Sequence, residues 1–281
     1  MKRHEYERMF RFEDWYWWYR GLHELVGSEV KQLNLGRVPT ILDAGCGTGR
    51  MMELLRSRGQ VKGRAFGSPL ARDLYPRGST AEVDPRAMPG APAAVEGFDF
   101  SAAAVDLCRQ RGVPDCRTMD LNAWDPEADR WDVIISLDVI CCSGVRDDRA
   151  ILEKFHRALA GNGHLIMNLP AFPLLRRTHD LAVSIARRYR RKDLVRDLEA
   201  RGFRLVYAGY RLPPLFLAVL AKKIIEKISK PRNIESDLRP LPRPFNDWLL
   251  GYHRLENRLI LRGMRLPFGS SLFVVAAKNG P

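Results

Sequence analysis

The residues from Asp43 to Arg50, "DAGCGTGR", combine an acid with three glycines at every second position. Glycine has no Cβ, so a backbone built on Gly45, Gly47 and Gly49 can approach a ligand closely and adopt left-handed torsions. A helix opening just beyond would aim free N–H donors at the same ligand. A dinucleotide site would want Gly-x-Gly-x-x-Gly. Here the spacing is Gly-x-Gly-x-Gly, and Arg50 stands in the sixth position. Asp43, two residues before the first glycine, would repel a pyrophosphate and suits a cationic ligand with an amino group. Three more acids follow apolar runs: Asp99 in "VEGFDF", Asp120 in "CRTMDL" and Asp138 in "IISLDVI". Any one of them alone reads as an ordinary loop carboxylate. Together with the glycine turn, the four point to one ligand site.

The elements that must position these acids can be read from periodicity. "VPTILDAGC" predicts a buried strand, and "RMMELLRSRG" the helix after it, closing at Gly59. "VEGFDF" predicts a second strand, followed by a helix capped at its start by Ser101. "CRTMDL" reads as a third strand. "WDVIISLDVI" reads as a fourth, with the continuous apolar run of a strand covered on both faces. "DRAILEKFHRALAGNG" predicts a helix ended by Gly161, before a fifth strand "HLIMNLP". A helix "RKDLVRDLEARG" and strands "FRLVYAGYR" and "SSLFVVAAK" complete the pattern. Strands alternating with helices predict an α/β fold built on an open, mostly parallel, doubly wound sheet. Five aromatics in a row, Trp15 to Tyr19, lead into helical spacing at Leu22, Leu25, Val26 and Val30. The segment Lys62 to Val95 holds prolines at 69, 76, 85, 89 and 92 with no sustained period, and reads as a long loop.

The glycine turn and its acids resemble the first motif of the class I S-adenosylmethionine-dependent methyltransferases. The resemblance implies a Rossmann-like seven-stranded sheet in the order 3-2-1-4-5-7-6, its last strand antiparallel. It implies S-adenosyl-L-methionine as cofactor, held by Asp43, Ala44, Gly45, Cys46, Gly47 and Gly49 of the turn. It also implies an acid closing the second strand, on the ribose hydroxyls, about 20 residues after the glycines. The acids nearest that spacing, Asp73 and Asp84, lie in the proline-rich segment with no strand before them. Asp99, with Phe100 beside it, is the better candidate, although it stands 50 residues after Gly49. Removing Lys62 to Val95 would leave 16. The segment therefore reads as an insertion between the two halves of the cofactor site. The helix after the first strand returns to the lower sheet edge, so the insertion is expected to emerge opposite the active site. In the same family Asp120 and Leu121 would face the adenine. Ser136, Leu137 and Asp138 would face the methionyl end and the methyl group.

The stretches "WDVIISLDVICCSGVRDD", "LIMNLPAFPLLRRTHD", "ARRYRRKDLVRDLEARGF" and "LPFGSSLFVVAAK" resemble a bacterial subgroup that accompanies glycan, lipid or secondary-metabolite pathways. Members commonly carry a histidine after "LDV"; here Cys141 and Cys142 take its place. No proline precedes them as in the Pro-Cys motif of pyrimidine C5-methyltransferases, so they read as buried small hydrophobes. Methyl transfer from a sulfonium is an in-line displacement, in which much of the work is alignment. An oxygen or nitrogen acceptor can also need its proton removed. His179 in "RRTHD" is the first candidate base, against a structural or capping role, and Asp138 is the second. His156 and His164 read as structural.

Residues 1–36 read as an N-terminal aromatic and helical lid segment, and 37–281 as the methyltransferase domain. That domain would carry the insertion 62–95 and a helical substrate lid over about 212–269. Tyr16, Trp18 or Arg20 could touch the cofactor; the alternative is that the aromatics only fasten the first helix to the sheet. Within the lid, "LPPLFLAVLAKKIIEKISK" is apolar and then basic. It could rest on an anionic membrane surface, receive a lipid-linked substrate, or be a core helix with solvated lysines. Arginines 176, 177, 187, 188, 190 and 191 could contact a phosphorylated acceptor or form a solvated face.

At 281 residues the chain fits one large domain, or one with a helical elaboration. "MKRHEYERMF" has no apolar core, so no signal peptide is expected there. The longest apolar run, "LFLAVLA", is too short for a bilayer span. Five cysteines without metal spacing suggest a reduced cytoplasmic protein, with peripheral membrane contact left open. The net charge of +13 is uneven: residues 171–281 hold 23 Lys and Arg against 9 Asp and Glu. That asymmetry suggests an anionic partner. The leading reading is methyl transfer to a small or lipid-linked acceptor, at oxygen: a glycan, a polyprenyl-linked sugar or a secondary metabolite. A nucleic-acid methyltransferase is favoured by charge alone, since the fourth strand lacks an Asn/Asp-Pro-Pro-aromatic motif. A non-catalytic, methyltransferase-like binding protein is the third reading.

Overall fold

The computed structural model of the chain describes residues 3–33, 35, 37–57, 94–229 and 239–279. Their strands are β1 (Thr40–Ala44), β2 (Ala94–Asp99), β3 (Cys116–Thr118), β4 (Trp131–Leu137), β5 (Leu159–Pro170), β6 (Phe203–Arg211) and β7 (Ser271–Lys278). They form one sheet in the order β3-β2-β1-β4-β5-β7-β6. Strands β1 to β5 pair in parallel, and β7 runs antiparallel between β5 and β6. This is the Rossmann-like order anticipated above.

The apolar runs produce this sheet because every central strand is covered on both faces. Side chains alternate between faces with period two. Ile41, Val133, Ile135, Ile166 and Val275 therefore join one core layer, and Leu42, Ile134, Leu165, Met167 and Val274 the other. Helices α3 (Arg50–Ser57), α4 (Ala102–Gln110), α5 (Asp148–Ala158) and α7 (Arg191–Glu199) flank the sheet. Ser101 caps α4 by accepting the Ala104 N–H, and Asp147 caps α5 through Arg149 and Ala150. A short helix α6 (Thr178–Ala182) follows a 3₁₀ turn at Pro173–Leu175.

Several boundaries differ from the sequence reading. β3 stops at Thr118, so Asp120 and Leu121 lie in the turn beyond it; the Asp120 carboxylate accepts the Asn122 N–H at 2.8 Å, a local bond that competes with strand pairing. Helix α5 ends at Ala158, not Gly161, because buried Leu159 already pairs with Trp131. The register then shifts, and Asn162 takes a left-handed φ of 63° before pairing resumes at His164. Ala94, assigned above to the insertion, and Val95, claimed there by both insertion and strand, belong to β2 and pair with Thr40 and Ile41. The rest of that segment lies outside the described residues. Its return point is at the edge opposite the glycine turn, where the Ala94 N–H donates to the Pro39 carbonyl.

Before the sheet come α1 (Arg3–Phe12), which the sequence reading missed, and α2 (Trp17–Gln32). Between β6 and β7 come α8 (Pro213–Ser229) and α9 (Arg243–Leu261). α9 fastens α2 by polar bonds: Asn257 Nδ2 donates to the Gly21 carbonyl at 2.7 Å, and Arg254 makes a forked pair with Glu24. The helices approach so closely that a Cβ on Gly21 would enter the ring of buried His253. Gly21→Ala should therefore cost about 1–3 kcal/mol, as overpacking does. Gly251→Ala on the exposed face of α9, where a Cβ meets nothing within 4 Å, should stabilise by up to about 1 kcal/mol. Thermal denaturation of the two variants checks the pair; equal effects would contradict this packing.

Candidate active site

The glycine turn leaves β1 with φ of 93° at Gly45, 54° at Gly47 and 82° at Gly49. Side chains are excluded there for steric reasons too. A Cβ on Gly45 would strike Val139, and one on Gly47 would lie 2.5 Å from the Met9 methyl. The turn is tied to β2, since the N–H groups of Gly45 and Cys46 both donate to the Phe98 carbonyl. Asp99 closes the same corner. Its buried carboxylate accepts from Gly47 N–H at 3.1 Å, Ser101 N–H at 2.9 Å and the Tyr6 hydroxyl at 3.0 Å. The turn and the acid 50 residues later are thus joined directly.

A cavity of about 710 Å³ opens over this corner. Asp43, Gly45, Cys46, Gly47, Asp99 and exposed Phe100 line it, as do Asp120, Leu121 and Leu137. Ala44 and Gly49 do not. Ala44 is fully buried in the core, and Gly49 faces Cys108. Ser136 does not line it either; its hydroxyl is fully buried in the sheet. Burial pushes the Asp43 carboxyl up to about 7, with the carboxylates of Asp99 and Glu13 adding to the rise. Acids crowded like this at the glycine turn are uncomfortable together until a cation arrives.

The farther part of the cavity holds both candidate bases, Asp138 and His179. Asp138 has a φ of 58°, held by its N–H donating to the Asn168 carbonyl at 2.8 Å. Asn168 Nδ2 also donates to both carboxylate oxygens, at 3.2 and 3.0 Å. The Asn168 side-chain oxygen accepts in turn from fully buried Arg211 at 3.0 Å, and Arg211 bonds His253. Burial raises Asp138 to about 6, against the pull of Asn168 and Arg211. His179 is pushed down to about 4 by burial and by Arg177, so it is neutral at pH 7.

One expectation about the neighbours is corrected, and one is narrowed. Cys141 is a buried apolar residue, but half-buried Cys142 lines the cavity and its thiol donates to the Asp138 carbonyl at 3.3 Å. Of the six arginines, only Arg177 and Arg188 line the cavity. Arg187 is spent on the carbonyls of Val145 and Arg146, and Arg188 makes a forked pair with buried Asp180.

The roof is formed by the N-terminal segment. Tyr6, Met9 and Glu13 line the cavity, along with Tyr16, Trp17, Trp18 and Tyr19. Trp15 is partly exposed, and Arg20 reaches Glu24 at 3.7 Å without lining the cavity. The roof is latched at its end. Buried Glu13 accepts from the Thr48 hydroxyl and, at 2.5 Å, from Arg111. Arg111 and Arg50 both hold Asp14, at 2.9 and 3.0 Å. Tyr6, Met9 and Glu13 were missed by sequence reasoning; their only signal is helical spacing at i, i+3 and i+7. Among the described residues, no group of His, Cys, Asp and Glu could hold a metal ion.

The family model of the methyltransferase domain matches residues 16–208 of the chain. No curated protein matches it in sequence. Among solved structures, the fold is similar to a chain from the complex of the Haloferax volcanii Trm112 methyltransferase activator with a provisionally assigned methyltransferase. There the TM-score is 0.55 and the identity 14%, over 99% of this chain and 95% of that one. It is similar to a provisionally assigned sarcosine dimethylglycine methyltransferase from Galdieria sulphuraria, with a TM-score of 0.53 and 14% identity over 92% and 85% of the two chains. It also resembles phosphoethanolamine N-methyltransferase 2 of Haemonchus contortus, solved with S-adenosyl-L-methionine. The TM-score is 0.51 and the identity 15%, over 90% of this chain and 51% of that one. At these identities the likeness is one of fold.

Proposed function

This chain belongs to the methyltransferase domain family, and on that premise we propose that it methylates an oxygen of a small or lipid-linked acceptor, using S-adenosyl-L-methionine. A glycan, a polyprenyl-linked sugar or a secondary metabolite would fit. One observation carries the reading: Asp138 and His179 line the same cavity as the glycine turn and Asp99. A proton acceptor and a cofactor cradle are then in one enclosure.

The crowding of Asp43, Asp99 and Glu13 supports the fit to a cofactor with two positive charges, a sulfonium and an amino group. Bound there, it supplies an electrophilic methyl group. Asp99 would hold its ribose hydroxyls, Leu121 and Asp120 its adenine, and Asp43 its amino end. Buried Asn168 and Arg211 hold the Asp138 carboxylate in place, and a base near pKa 6 can take a hydroxyl proton as the oxygen attacks. Neutral His179 is the second acceptor for that proton. With the cofactor bound, the roof of α1 and the aromatics would limit water at the transfer site, where alignment does much of the work.

Charge gives a pH prediction. Because Asp43 has a raised pKa, the folded apo protein keeps a proton that the unfolded chain has already lost between about pH 4 and 7. Stability from this group therefore falls as pH rises through that window. A cationic ligand favours the ionised form, so its affinity rises over the same range. S-adenosylmethionine and S-adenosylhomocysteine, which share the amino end, should both show this rise, and 5′-methylthioadenosine, which lacks that end, should not. Calorimetry of the three ligands across pH checks this, and an equal rise for 5′-methylthioadenosine would contradict it.

The acceptor is tested with methyl-labelled S-adenosylmethionine and a polyprenyl-linked glycan. The label should appear as a base-stable methyl ether on the sugar. Label recovered on nitrogen would overturn the oxygen assignment, and label recovered on RNA would overturn the small or lipid-linked acceptor.

A further inference from the structure

Helix α8 is rich in Leu, Ile, Val and Phe, yet none of its described side chains is buried. Leu215, Phe216, Val219 and Leu220 are half-buried on its inner face. Leu217, Ala221, Ile224 and Ile225 follow i, i+4, i+7 and i+8 and form one outer stripe. Leu217, Ile224 and Ile225 are exposed by 58%, 56% and 59%. The patch extends beyond the helix. Lys223 Nζ donates to the carbonyl of Leu174, itself 57% exposed, and Leu181 on α6 is exposed to the same degree. Single exposed apolar residues need no explanation; a contiguous stripe of this kind marks an interaction surface.

The surroundings are cationic. Residues 171–192 hold seven Lys and Arg against one acid, and α8 holds three against one. The acid of the first segment, Asp180, is fully buried and paired with Arg188. Arg176 and Lys222 are exposed beside the apolar stripe. Two copies of this chain meeting through such a face would bring like charges together, whereas an anionic lipid surface complements it. No described helix is long and apolar enough to cross a membrane, so the fitting geometry is a helix lying in the interface. The inner face of the same helix, through Leu215 and Val219, lines the cavity that contains Arg177 and His179.

We infer that the outer stripe of α8, with Leu174 and Leu181, docks on an anionic bilayer and sets the acceptor half of the cavity against the lipid. The inference rests on the methyltransferase reading only for what the cavity then receives: an acceptor drawn from the membrane. The docking itself stands on the surface.

The test is co-sedimentation of the full chain with vesicles of phosphatidylcholine, and of phosphatidylcholine mixed with phosphatidylglycerol. Binding is expected to the mixed vesicles alone and to weaken with salt. Lys222→Glu should lower it several-fold, about fivefold for each charge neutralised. Ile224→Glu with Ile225→Glu should lower it about tenfold or more, through the lost apolar contact. Both variants should keep the wild-type circular dichroism and the wild-type affinity for S-adenosylhomocysteine. Wild-type protein that binds S-adenosylhomocysteine but no vesicle overturns the docking and leaves the enzymatic reading intact. Wild-type protein that is dimeric by light scattering, and monomeric in the isoleucine variant, also overturns it by giving the face to a second copy. Vesicle binding without S-adenosylhomocysteine binding would uphold the docking and sink the enzymatic reading.

Discussion

Asp138→Asn is expected to lower kcat about 10²–10⁴-fold, the usual worth of a positioned general base. The affinity for S-adenosylhomocysteine should stay within about twofold of wild type, less than 0.5 kcal/mol. The substitution is nearly isosteric, and asparagine tolerates the φ of 58° at this position. One side-chain oxygen remains to accept from Asn168, so the Asn168–Arg211–His253 chain keeps a partner. What disappears is a carboxylate that burial has poised near pKa 6. Single-turnover kinetics with a hydroxyl acceptor measure the effect. If kcat survives, Asp138 is not the base, and His179→Gln is then the variant that should abolish turnover.

Asp99→Ala is the second large effect, and it falls on binding. Hydrogen bonds to a charged group contribute about 1.5–3 kcal/mol each. Losing two to a ribose diol would weaken cofactor binding by roughly 10²–10⁴-fold. Part of that loss is indirect, because the carboxylate also holds the N–H groups of Gly47 and Ser101. Tyr6→Phe separates the contributions. It removes only the roof's bond to Asp99 and leaves the turn's own bonds in place, so affinity should change by a few-fold at most. Equal losses in the two variants would mean that the roof, not the ribose contact, governs affinity.

The middle of the sheet was legible because β1, β2 and β4 are short apolar runs with an acid at or beside their ends. A one-residue slip would have moved Ile41 or Ile134 to the wrong layer. Asp99 could be found by arithmetic on the glycine spacing, and the structure places it on Gly47. Helix α1 was not legible. Half of "RHEYERMFRF" is charged, and its buried Glu5 and half-buried Arg8 look like solvent residues until the site beneath them is known. The support behind Asp138 was equally hidden. Asn168, Arg211 and His253 come from β5, β6 and α9, and no local pattern links positions so far apart in the chain. Ala44 and Gly49 belong to the same motif but do not line the cavity: a motif names consecutive residues, whereas the turn sends Ala44 into the core and sets Gly49 against Cys108.

The most direct test of the central claim is titration of the purified, folded chain with S-adenosylhomocysteine in a calorimeter. The account predicts saturable binding at one site per chain. A well-folded chain that takes up no heat at any concentration, and gains no thermal stability from the ligand, would contradict it: the sheet would then be a methyltransferase fold that does not hold the cofactor.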